Sequence, residues 1–109
     1  MSVQLGKIEE VRIGKGGYQN AMFGVTFVLS GDSWATIDFK GTWDVSIETP
    51  ESGAWSDLDR LRSLGEVMIF LSELMNKAKV TKMEDLKGVP ISATFSDKLE
   101  GWRVLTEVR

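Results

Sequence analysis

Two blocks of alternating apolar residues flank one long stretch of helical period, and no other feature limits the folds open to this chain so severely. In the first block Phe23, Val25, Phe27 and Leu29 share one side of an extended segment from Ala21 to Leu29, with Met22, Gly24, Thr26 and Val28 on the other. Ala35, Ile37 and Phe39 repeat the pattern between Ser33 and Lys40, which assigns them to the core and turns Trp34 and Lys40 outward. The second block, Val89, Ile91, Ala93 and Phe95, alternates likewise, and Trp102 to Val108 supplies a last strand. Between the blocks, Leu61, Leu64, Met68, Leu71, Met75 and Ala78 recur at three- and four-residue spacing, the mark of one buried helical stripe. Val67 and Leu74 widen it, whereas Ile69 projects among Arg62, Glu66 and Glu73.

The punctuation between these segments agrees with that division. Val3 to Ile13 forms an opening strand in which Ile8 has the opposite parity to Val11 and Ile13, so the adjacent Glu9 and Glu10 mark a bulge. Gly14-Lys15-Gly16-Gly17, Ser30-Gly31-Asp32 and Ser96 to Gly101 are turns. Thr42 to Ser56 is a polar loop. The helix runs from Ser56 or Asp57 to about Lys79, with Asp57 and Asp59 at its positive end and Lys77 and Lys79 at its negative end. Thr81-Lys82-Met83-Glu84 matches a capping box for one short helical turn through Leu86. Pro90 is tolerable at the start of a strand or at an edge. The reading is therefore a single α+β domain over residues 1–109 with element order β-β-β-α-β-β and one long helix between strands 3 and 4. Either a five-stranded antiparallel sheet or an oligonucleotide/oligosaccharide-binding (OB)-like barrel has that order, and the helix is longer than a barrel plug needs.

Several kinds of chemistry are excluded at once. The chain has no cysteine and no histidine, so disulfides, thiolate metal sites and Ser-His or Cys-His catalysis are absent. The acidic stretch Asp44, Glu48, Glu51, Asp57 and Asp59 lacks the ligand spacing of a calcium loop and reads as a solvated loop or a surface for a basic protein. The glycines at 14, 16 and 17 precede a strand, whereas a phosphate loop requires a helix. No metal, no cofactor and no enzymatic activity are expected. The N-terminus shows no basic-then-apolar leader, and the longest apolar run, Val67 to Leu71, is far too short to span a bilayer, so the expectation is a cytoplasmic protein without membrane contact.

What remains is binding. Four tryptophans in 109 residues exceed what one core of this size needs. Aromatic rings beside a few cations are the usual means of holding single-stranded nucleic acid. Arg12, Thr26, Trp34 and Lys40 are expected on one outward face. On this reading Tyr18, Trp34 and Trp43 stack bases, while Arg12, Lys15, Lys40 and Lys98 contact phosphates. The alternative is a protein–protein module whose contacts come from Asp57, Asp59 and Ile69.

Two segments carry a family resemblance. Lys79-Val80-Thr81-Lys82-Met83-Glu84-Asp85-Leu86-Lys87-Gly88-Val89-Pro90-Ile91 resembles the carboxy-terminal part of small phage proteins thought to bind single-stranded DNA through an OB-like fold. Lys7 to Gln19 is similar to small uncharacterised phage proteins. The resemblance covers about half the chain and implies a phage or prophage origin, residence in the host cytoplasm, and a partner that is single-stranded nucleic acid or a host defence or replication protein. It assigns no functional residue.

Overall fold

The first strand organises everything else, because it is long enough to serve two hairpins at once. In the computed structural model, which describes residues 1–106, β1 spans Ser2–Gly16. Its second half, Lys7–Gly16, pairs with β2 (Met22–Ser30), and its first half, Ser2–Lys7, pairs with β4 (Pro90–Phe95). β3 (Ala35–Trp43) lies on the far side of β2, and β5 (Leu99–Val104) on the far side of β4. All pairs are antiparallel, in the order β3-β2-β1-β4-β5. The expected bulge is present: the register slips between Ile8 and Glu10, and Ile8 is fully buried where β1 passes from one hairpin to the other.

β3 and β5 end the sheet, and no backbone ladder joins them among the described residues. A side chain bridges them instead: the Trp102 indole N–H donates to an Asp38 carboxylate oxygen at 2.7 Å. The sheet is therefore open in its backbone hydrogen bonds and drawn together at its edges. Inside the curl, Phe27, Phe70 and Trp102 pack ring against ring, with centroids 5.2 to 6.0 Å apart.

α1 (Asp57–Ala78) closes one side of this core. Ser56 caps it with a reciprocal box to Asp59, and Lys79 ends it in the left-handed conformation. Arg60, Val67, Leu71, Leu74 and Ala78 are its buried residues. The expected stripe is thus rotated: Leu61 and Met68 are 67% and 44% exposed. The expected capping box at Thr81 does not form. The 3-10 turn Met83–Leu86 starts at Lys82 without a side-chain cap, and buried Leu86 anchors it to the core.

The larger correction concerns β3. Register places Thr36, Asp38 and Lys40 opposite Leu29, Phe27 and Val25, on the core side. Ala35, Ile37 and Phe39 face away, and Ile37 is 59% exposed. The core takes its apolar surface from α1 and β5, so this edge strand turns its polar residues inward, where Asp38 meets Trp102 and Lys40 sits 4.7 Å from the Phe70 ring centre. The last strand runs Leu99–Val104 rather than Trp102 to Val108: it starts earlier and has ended by Leu105, and the expected end at Val108 itself lies outside the described residues.

Candidate nucleic-acid interface

The outer face of β1, β2 and β3 is built around glycine. Gly14 pairs with Gly24, and Gly24 pairs with Gly41, so a row without side chains crosses three strands. Phe39 fills it. A Cβ at Gly16 would stand 2.7 Å from one edge of the Phe39 ring, and one at Gly41 would stand 2.8 Å from the other. The ring therefore lies across the bare backbone and also shields Thr26, its cross-strand partner, which is 7% exposed. Such packing compensates the weak strand propensity of glycine. It leaves a half-buried aromatic surface, bordered by Arg12 opposite Thr26, by Ile37 further along β3, and by Trp43 beyond Gly41.

At the end of this face the β1–β2 connection and the loop after β3 meet. Tyr18 opens a 3-10 turn, Tyr18–Asn20, and is 67% exposed. Trp43 stacks on Trp55 with ring centres 6.4 Å apart, and the Arg60 guanidinium lies 4.9 Å from the Trp55 ring centre. Arg60 also donates to the Ile47 carbonyl at 2.5 Å. The loop between β3 and α1 is thus clamped rather than loose.

Asp44 is the pivot of that clamp and the residue that sequence reasoning misassigned. Far from being a solvated loop acid, it is 4% exposed. Its carboxylate takes the Lys15 ammonium at 2.6 Å and accepts the Ser46 hydroxyl at 2.6 Å and the Ser46 amide at 3.1 Å. These donors, Lys15 first, hold its carboxyl far below the usual carboxylate range. Midway along β1, the Ser30 hydroxyl lowers Glu9 in the same sense, with Lys7 adding a weaker pull.

The sequence-based candidates therefore divide. Arg12, Tyr18 and Trp43 lie on or beside the outer face, Arg12 within 3.4 Å of Glu10. Lys15 projects to the other side of β1 and pairs with Asp44. Lys40 points to the core side and lies 3.4 Å from Asp38. Trp34 precedes β3 and is tucked against Gly6 and Gly31 with its edge to Phe95, ring centres 5.1 Å apart. The expected grouping of Arg12, Thr26, Trp34 and Lys40 on one face is therefore not formed. Lys98 is exposed in the β4–β5 turn, whose following residues border a hollow with Asp38, Lys40 and Phe70. Asp57 and Asp59 sit on the first turn of α1, Asp59 as the capping partner of Ser56, and Ile69 is 60% exposed. Phe39 is the functional candidate missed outright. Its signal was legible as a strand phenylalanine two residues from Gly41, in a chain whose first strand ends in Gly14 and Gly16.

No helix among the described residues is long and apolar enough to cross a membrane. Comparison with protein-family models, curated proteins and solved structures finds no match.

Proposed function

We propose that this chain is a small, non-enzymatic binding domain of the phage type that takes single-stranded nucleic acid on the outer face of β1, β2 and β3. One observation carries the proposal: the Phe39 ring rests on a glycine floor with its other side turned outward, between Arg12 and Trp43. A ring held against backbone loses little freedom when a base stacks on it, and each such stack contributes roughly 1–3 kcal/mol whatever the base. Trp43 and Tyr18 extend the track toward the β1–β2 connection, and Arg12 supplies a phosphate contact. The strand order β3-β2-β1-β4-β5 adds support, being that of an OB barrel opened between β3 and β5, an architecture whose second and third strands bind oligonucleotides.

Fluorescence titration with a short oligothymidine at low salt tests the proposal, since Trp43 and Trp55 report from the interface itself. The expected result is quenching that saturates, weakened roughly 5- to 150-fold by Phe39→Leu, the equivalent of one lost stack. Lys82→Gln, on the helix side, should leave the curve unmoved. Absence of quenching, or identical curves for the unsubstituted and Phe39→Leu chains, would remove this function.

A further inference from the structure

The connection between β1 and β2 holds two consecutive residues in a backbone conformation that L side chains disfavour. Gln19 and Asn20 are both left-handed, with φ of 51° and 56°, shortly after Gly17 at 66°. Asparagine adopts that region more readily than glutamine, and two such residues in succession persist only where surrounding groups enforce them. Burial does not enforce them here, since Tyr18, Gln19 and Asn20 are all exposed.

The enforcing contacts come largely from outside the turn. Within it, the Asn20 and Ala21 amides donate to the Gly17 and Tyr18 carbonyls at 3.3 and 2.9 Å. Asp44, next after β3, engages both limbs. Its amide donates to the Ala21 carbonyl at 2.9 Å, just behind the turn, and its carboxylate takes the Lys15 ammonium at 2.6 Å, just ahead of it. Ser46 donates twice to the same carboxylate and fixes its direction. Met22 completes the hold: it is the cross-strand partner of Trp43, and a Cβ at Gly17 would stand 2.6 Å from its sulfur. One buried residue of a different loop thus grips the chain on either side of Tyr18.

Strain kept at exposed positions marks a surface whose shape is set before anything binds. We infer, resting on the nucleic-acid reading of the outer face, that Asp44 is a positioning residue which holds the Gly17–Ala21 turn so that Tyr18 is already in place to stack a base beside Trp43. A loose turn would have to be ordered on binding, and that ordering would weaken affinity.

Charge alone predicts the opposite sign. Asp44→Asn removes a negative charge and releases Lys15 toward a polyanion, which would tighten binding. Positioning instead requires oligothymidine affinity at low salt to fall about fivefold, the lower figure for one lost stack. That loss runs through Tyr18, so after Tyr18→Leu the Asp44→Asn change should alter affinity by less than about twofold. Lys15→Met, which leaves the carboxylate with its Ser46 donors, should reproduce the loss at an unchanged salt slope, whereas a lost phosphate contact would flatten the slope by about 0.7. In the free protein, amide exchange of Asn20 and Ala21 should accelerate by roughly tenfold or more in Asp44→Asn, while Val25 in β2 stays protected and shows that the sheet remains folded. Tighter or unchanged binding by Asp44→Asn, losses that add to those of Tyr18→Leu, or unaltered exchange in the turn would each overturn the inference. If the unsubstituted chain does not bind oligothymidine, the interface reading fails and this inference with it; accelerated exchange would then show a turn held for stability alone.

Discussion

A carboxylate withdrawn from water must recover its hydration through other donors, and Asp44 does so with Lys15 and both polar groups of Ser46. Its depressed pKa is also a statement about stability. The unfolded chain binds a proton at Asp44 near the ordinary carboxylate value, and the folded chain only at much lower pH. The contribution of Asp44 is therefore complete above that ordinary value and lost as pH falls below about 4. Urea denaturation across the acid range should show stability declining there, and Asp44→Asn should flatten the decline while lowering stability at neutral pH. An unchanged acid slope in Asp44→Asn would assign the sensitivity to other groups. In the core, Phe27 is fully buried and touches the rings of Phe70 and Trp102. Phe27→Ala should cost about 3–5 kcal/mol in the same assay, since a large cavity opens where three elements converge. Of these two residues only Phe27 was legible beforehand. Alternation marked it as core, but nothing local to Asp44 announces that a lysine 29 positions earlier will meet it.

The seam between β3 and β5 is held by one indole rather than by a ladder, and that makes it the weak line of the sheet. Trp102→Phe keeps an aromatic ring against Phe27 but removes the donor to Asp38. Hydrogen bonds to charged groups contribute about 1.5–3 kcal/mol, so a loss near the lower figure is expected, Lys40 still lying beside the carboxylate. Amide exchange should accelerate in β3 and β5 more than in β1; uniform acceleration would mean that the edges are not held by this bond. The elements themselves were largely written in the pattern of the chain. The bulge near Glu9, the β2–β3 hairpin and the helix from Asp57 appear where parity, turn residues and caps placed them, whereas the expected turn at Gly14 to Gly17 is strand as far as Gly16 and the chain reverses through Tyr18–Asn20. The facing of β3 was not. Period two says that residues alternate, but a strand with apolar residues on one parity can still turn that parity to solvent when its neighbours already fill the core.

For the molecule as a whole, net charge of −3 and the ion pairs of Lys15, Arg12 and Lys40 leave few unpaired cations near the proposed interface. Nucleic-acid binding should therefore depend on stacking more than on phosphate. The logarithm of affinity is expected to fall with that of salt with a slope of roughly −1.4 to −2.1, the result of two or three contacts at about −0.7 each. A much steeper slope would point to a basic surface elsewhere. Local periodicity and turn chemistry suffice to determine the order of strands and helix, because both depend on neighbours a few residues away. Which face of β3 is buried, that Phe39 lies on glycine, that Lys15 belongs to Asp44 and that Trp34 is tucked away were all decided by tertiary packing. Each depends on the competition among distant segments for the same limited core, and no short stretch of chain records the outcome.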